Sequence, residues 1–307
     1  MNDDAENRRG LLYGVCAYFC WGLFPLYWPL LEPAGAIEIL AHRIVWSLAF
    51  VAILLWQTRN WSGVRAILAN PRQRVYLAGA AVVITVNWGT YIWGVNSKQV
   101  VETSLGYFIN PLFTILLGVV LLHETLRRTQ WVAVGIATVA IVVLTVDYGR
   151  LPWIALVLAT SFGLYGYFKK RAIVGAVESL AVETGMLAVP ALATLVVLQM
   201  QGSLVFAQHS VGNTVLLIAT GAVTAIPLLF FGAAARRLPL SVIGLLQYLA
   251  PVLQFAVGVG INHEHMTTAR WIGFGLVWVA LVVLTVDGIR GQRRAVQLER
   301  AAASVAA

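Results

Sequence analysis

Residues 131–147 read Trp-Val-Ala-Val-Gly-Ile-Ala-Thr-Val-Ala-Ile-Val-Val-Leu-Thr-Val-Asp, and residues 271–287 read Trp-Ile-Gly-Phe-Gly-Leu-Val-Trp-Val-Ala-Leu-Val-Val-Leu-Thr-Val-Asp. The second stretch repeats the first at an offset of 140 residues. Extended without a gap to 104–147 against 244–287, the alignment holds sixteen identities in 44 positions. Leu105, Pro111, Gly118, Val119, His123, Glu124, Trp131, Gly135, Val139, Ala140, Val142, Val143, Leu144, Thr145, Val146 and Asp147 all recur. Apolar composition alone produces Val and Leu matches. It does not place Pro, His-Glu, Trp and Asp in one register, so the chain is an internal duplication. Gly22-Leu23 matches Gly163-Leu164 more weakly, at offset 141.

The repeated segment is too apolar for a soluble protein, and so is the rest of the chain. Of 307 residues 60% are hydrophobic and 11% charged, with a mean hydropathy of +0.81. A soluble domain carries roughly 25% charged residues to cover its surface. A helix needs about 20 apolar residues to cross the hydrocarbon core. That ruler predicts ten spans, at 11–30, 36–56, 75–95, 102–122, 129–146, 151–169, 177–200, 212–235, 241–261 and 268–287. The predicted fold is therefore an all-α integral membrane protein of ten transmembrane helices in two inverted five-helix repeats. The repeats occupy 11–147 and 151–287, between a cytoplasmic N-terminus (1–10) and a cytoplasmic tail (288–307). The longest connection, Gln57 to Arg74, contains the turn signal Asn70-Pro71.

Basic residues orient the bundle. With the N-terminus inside, the inner segments hold 17 of the 21 Lys and Arg; Lys98, Arg150 and Arg270 fall outside, and Arg43 lies within a span. An odd number of helices per repeat makes the second half enter from the opposite side, and the loop charges agree. Arg127-Arg128 faces Thr267-Thr268 across the alignment, and Asn96-Ser97 faces Arg236-Arg237. The net charge of +8 is thus a topology signal spread over short loops, not a nucleic-acid face. Cys16 and Cys20 sit one helical turn apart in the first span and read as small apolar residues. The first apolar run outlasts a signal peptide and reads as a retained helix.

A family resemblance rests on particular strings. Leu105-Gly106-Tyr107-Phe108-Ile109-Asn110-Pro111-Leu112, His42-Arg43 in the second span, Arg127-Arg128-Thr129-Gln130-Trp131, and Leu246-Gln247-Tyr248 before Pro251 resemble RarD-type permeases. These are bacterial EamA-type members of the drug/metabolite transporter superfamily. The resemblance covers essentially the whole chain. It implies an inner-membrane permease of two five-helix units, in a branch connected with chloramphenicol. One departure is visible: the fourth span closes on His123-Glu124, where the superfamily commonly has Gly-Glu.

Polar groups at membrane depth are costly and usually face a bundle interior or a wet cavity. Asn110 precedes Pro111 in the fourth span, and Gln247 and Gln254 flank Pro251 in the ninth. Proline frees a carbonyl one turn earlier, and an amide can line the opening. A symmetric pair of kinks at a cavity and plain kinks with amides cross-linking helices are both compatible with this. His42 and Arg43 lie in the second span, one turn after Glu38, and His42 matches Glu183 at offset 141. A substrate ion pair or proton site competes here with a structural salt bridge between repeats. A buried Arg43 needs a partner or an anionic ligand. Trp21, Trp88, Tyr107 and Tyr248 complete the candidate cavity, with Tyr18, Tyr91 and Tyr165 also at depth, whereas Trp56, Trp61, Trp131, Trp153 and Trp271 sit near span ends as interfacial anchors.

His123-Glu124 and His263-Glu264-His265 lack the spacing of a zinc site and read as turn and capping residues. Asp147 and Asp287 close their spans. No Walker loop, dinucleotide fingerprint or Ser/His/Asp arrangement occurs. The expectation is a secondary transporter moving a small metabolite or drug-like molecule by alternating access, without catalytic residues, metal or cofactor. Its partners are the small-molecule substrate and membrane lipids, with no nucleic acid; a homodimer stays open. A membrane enzyme or sensor, or a channel, is the alternative on the same bundle.

Overall fold

The computed structural model describes residues 2–122, 126–172, 174–235, 237, 238, 242, 243 and 246–306, with side chains described outside 2–5, 118, 121, 122, 170, 235 and 291–306. His123-Glu124, the one departure from the family string, lies outside the described residues. All regular structure among the described residues is helical: α1 (Asn2–Gly22), α2 (Phe24–Tyr27) continued by a 3-10 turn (Trp28–Leu31), α3 (Ala36–Thr58), α4 (Trp61–Ala69), α5 (Pro71–Asn96), α6 (Val100–Leu122), α7 (Arg128–Tyr148), α8 (Trp153–Ala172), α9 (Ala176–Met200), α10 (Val211–Ala235), α11 (Leu249–Ala256) continued by a π turn (Val257–Ile261), and α12 (Thr268–Ala306). Seven helices are long and apolar enough to cross a membrane, eight if α1 and α2, bent by 42°, are one span.

The departures from the ruler have local causes. The first expected span breaks after Gly22, where Pro25 and Pro29 open the two short helical turns that follow. Gly22 lies against α11, where a Cβ would stand 2.6 Å from Leu253 Cδ1. The ninth expected span is interrupted: Gln247 and Tyr248 form a turn, and α11 begins just before Pro251. By contrast α6 runs as one helix through Pro111. The 20-residue α8 falls outside the seven, ending as it does in Lys169-Lys170-Arg171. The Gln57–Arg74 connection holds a short helix, α4, and Asn70 then caps α5, its Oδ1 accepting from Arg72 N and Gln73 N with Pro71 at the first position.

Packing follows residue size. α7 presents Ala133, Ala137, Ala140 and Leu144 to α12 and turns Val132, Val139, Val142 and Val146 outward. With no hydrophobic drive between helices in lipid, small residues on the contact stripe let backbones close and gain dispersion contacts. Gly221 of α10 does the same against α3, its Cα facing the carbonyl of Trp46. α5 and α6 pack on α8, α1 packs on α10 and α11, α3 packs on α9 and α10, and α6 packs on α11.

Polar contacts join helix ends that are distant in sequence. Arg237 pairs with Glu6, Asn60 with Glu178, and Arg127 with Asp287. Glu38 accepts the N–H groups of Val205 and Phe206, and Glu102 accepts from Arg150 and the N–H of Ile154. Glu264 accepts from Val100 N and Val101 N; burial raises its carboxyl above the ordinary range while those two bonds pull it down. Asp147 accepts from Thr267 and Arg270. Asp147 and Asp287 are 140 residues apart, and so are their partners Thr267 and Arg127, so the aspartate of α7 bonds the segment just before α12 and the aspartate of α12 bonds the segment just before α7.

Candidate functional site

The strongest concentration of chemistry at depth surrounds Arg43. Residue 43 is two turns into α3, on the face that packs against α10, and is only 3% exposed. Its Nε donates to Thr224 Oγ1 at 2.9 Å. Its Cζ lies 4.0 Å from the Trp88 ring centroid, 5.1 Å from that of Trp28 and 5.6 Å from that of Phe24. Tyr27, Tyr91 and Tyr107 stand close enough to feel its charge. Among the described residues no carboxylate lies within ion-pair distance of it. Aromatic faces recover part of the desolvation cost of a buried guanidinium, about 2 kcal/mol per well-placed ring at best. They do not neutralise it.

The other predicted residues fall into separate groups. His42, next in sequence, points into different surroundings: its Nδ1 accepts from Trp46 Nε1 at 3.2 Å, its ring packs on Phe206 with centroids 4.5 Å apart, and its Nε2 lies 3.8 Å from Glu38 Oε1. That bond assigns the proton of the neutral ring to Nε2. Glu183, 1% exposed, is held by Lys169 at 2.8 Å, Tyr165 at 3.1 Å and Ser179 at 2.5 Å. Arg43, His42 and Glu183 therefore do not form one ion-paired cluster; Lys169, which the sequence places at a span end, is the partner of Glu183. Lysine's long stem lets it reach inward from there. The 141 offset still relates the groups, since the pairs His42/Glu38 and Glu183/Ser179 occupy equivalent turns of α3 and α9.

Tyr107 connects the Arg43 site to α8. Its hydroxyl donates to Asn87 Oδ1 at 3.1 Å, Asn87 Nδ2 donates to Leu158 O and Ser161 Oγ at 3.0 Å each, and its ring packs on Tyr91 with centroids 5.5 Å apart. Asn87 escaped sequence reasoning, although a lone amide inside an apolar span is the same signal that marks Asn110. Asn110 sits half-buried with Oδ1 enclosed and without a partner. Gln247 and Tyr248 are half-buried at the interruption before α11, and Tyr248 packs on the core that includes Phe108 and Phe255. Trp21 meets Tyr18 edge to face and Phe231 at a tilt, and its carbonyl accepts from Gln254. Trp28 and Thr224 had no sequence signal of their own, because a Trp or Thr in a span is unremarkable until its neighbours are known. Among the described residues no group of His, Cys, Asp and Glu could hold a metal.

Comparison with known proteins now bears on this geometry. Residues 8–146 match the EamA-like transporter family. Over 100% of this chain and 98% of the relative, the sequence is 58% identical to Protein RarD of Streptomyces exfoliatus. This chain is a RarD-type member of the EamA-like transporter family. The permease is also 40% identical to Protein RarD of Escherichia coli, over 95% of this chain and 99% of the relative. It is 29% identical to the Chloramphenicol-sensitive protein RarD of Pseudomonas aeruginosa, over 94% and 97%. A solved structure 19% identical in sequence matches with a TM-score of 0.56, covering 90% of the permease and 97% of that chain, and shares the fold. The RarD-type permease is thus a multi-pass transporter of the bacterial inner membrane, and the polar groups at depth belong to a protein that handles a small molecule.

Proposed function

We propose that this permease is a secondary carrier that moves a small metabolite or drug-like molecule by alternating access, with its substrate bound near Arg43 between two inverted halves. The observation that carries the reading is the enclosed Arg43 box, a polar site at depth where α2, α3, α5 and α10 meet. Ten crossings in two five-helix repeats, counting α1 with α2, and α11 with its neighbouring turns, as one span each, account for the reciprocal contacts. α1 packs on α10 and α11 as α8 packs on α5 and α6, and the Asp147 and Asp287 contacts interchange under the 140-residue offset. Such repeats rock about a midplane site in many carriers. Both termini are proposed to face the cytoplasm, on the basic-residue asymmetry. Asn110, Gln247, Trp21, Tyr248 and the two prolines are proposed as cavity lining and hinge. His42 and Glu183, whose partners lie within the protein, are proposed as supports that a transport cycle perturbs.

Reconstitution into liposomes tests this. Saturable uptake with counterflow of a labelled solute is expected; flux linear in concentration would instead make the protein a channel, and chemical conversion of the solute would make it an enzyme. Chloramphenicol belongs in the solute panel, because one relative carries its name.

A further inference from the structure

Among the described residues the buried carboxylates are already taken, and none pairs with Arg43. Glu38 is used by the N–H groups of Val205 and Phe206, Glu102 by Arg150, Asp147 by Arg270, Glu183 by Lys169, and Glu264 by Val100 and Val101. A guanidinium stays charged in a protein, so Arg43 carries its charge into an apolar interior. Its partners there are one hydroxyl and aromatic faces. The ring cluster that meets it also holds unpaired donors. Trp28 Nε1 and the Tyr91 hydroxyl are enclosed, with residues 0% and 2% exposed, and neither has a hydrogen-bond partner. A buried donor left unpaired is costly, so a cluster with two of them and an uncompensated cation favours a bound acceptor.

We propose that Arg43 is the docking point for the carboxylate of a small organic monoanion, and that this anion is the class of substrate the permease carries. The inference rests on the carrier reading above. The shape of the site selects the class. Three aromatic rings lie within 5.6 Å of the guanidinium carbon and Thr224 takes its Nε, while among the described residues the Nη nitrogens have no acceptor, so they are left for a planar two-oxygen acceptor. One negative charge makes a neutral pair in the low-dielectric interior, whereas a dianion such as sulfate leaves an excess charge buried. The Trp and Tyr walls suit an apolar or aromatic body behind the carboxylate. A neutral solute can accept from the donors but leaves the charge of the guanidinium uncompensated.

The test uses purified full-length protein in nanodiscs and thermal unfolding with matched probes: phenylacetate and phenylacetamide, indole-3-acetate and its amide, inorganic sulfate, and chloramphenicol. The carboxylates are expected to raise the unfolding midpoint of the wild type, and the amides, sulfate and chloramphenicol are not. Arg43→Gln should abolish that response while unfolding, without ligand, no lower than the wild type, because a cation awaiting its counter-ion contributes little to the empty state. Arg43→Lys keeps the charge without the fork and should weaken carboxylate binding about tenfold or more. Equal response to acid and amide, a carboxylate response that survives Arg43→Gln, or no response to any carboxylate each overturns the proposal. Liposome counterflow separates it from the carrier reading. Carboxylates that bind through Arg43 but show no counterflow sink the carrier and leave the site; counterflow of a neutral solute unaffected by Arg43→Gln sinks the site and leaves the carrier.

Discussion

Breaking the Lys169–Glu183 pair from each side should give unequal losses, and the inequality follows from where each group sits. The Glu183 side chain is 2% exposed and the Lys169 side chain 26%. Lys169→Met leaves an enclosed carboxylate holding only Tyr165 and Ser179. Removing one partner of a fully buried pair costs about 3–5 kcal/mol; the partial exposure of Lys169 brings the expectation to about 2–4 kcal/mol. Glu183→Gln leaves a lysine whose amine can swing toward the membrane surface, so about 1–2 kcal/mol is expected. The double variant should recover most of the larger loss, with a coupling energy of about 1–3 kcal/mol. Denaturation in mixed detergent micelles measures all four corners of the cycle. Additive losses, or a greater loss from Glu183→Gln than from Lys169→Met, would refute the reasoning. The same Glu183→Gln protein tests the site's place in transport. A carrier must rehydrate and dehydrate its polar groups each cycle, so uptake should fall while folded protein persists in the membrane. Wild-type uptake at every pH would make the carboxylate structural.

Four further outcomes follow from single contacts. Gly221→Val should prevent stable accumulation of the protein, because a Cβ there stands 2.3 Å from the Trp46 carbonyl oxygen, while Gly135→Ala, which meets nothing within 4 Å, should leave the thermal midpoint unchanged. Asp147→Asn should lower the midpoint more than Asp287→Asn, since the partner of Asp147 is 24% exposed and that of Asp287 is 59% exposed. Tyr107→Phe should cost about 1 kcal/mol in the same unfolding assay by stripping Asn87 Oδ1 of its donor. In a Cys16/Cys20-free background, Ser210→Cys should react with an impermeant thiol reagent on intact spheroplasts and Ser62→Cys should not.

Hydropathy and self-similarity are sums over neighbouring residues, so a chain this apolar declares its helices before it folds. The bounds of the predicted spans at 177–200 and 212–235 fall within one residue of α9 and α10. The same sums misplace what depends on a single position: Leu23 and the prolines after it break the first span, and the turn at Gln247 and Tyr248 shortens the ninth. The demand that Arg43 find a partner was also legible, because burying a guanidinium costs the same wherever the chain then goes. Which partner it finds was not. Arg43 meets Thr224 across 181 residues, and Glu38 meets Phe206 across 168. Only the packing that brings α2 with its 3-10 turn, α5 and α10 to α3 decides that aromatic rings and a hydroxyl rather than an acid stand around the cation. Only the packing of α8 against its neighbours carries Lys169 inward to Glu183. A sequence prices the burial of each group alone; the pairing energy belongs to two residues at once, and the tertiary fold alone sets their distance.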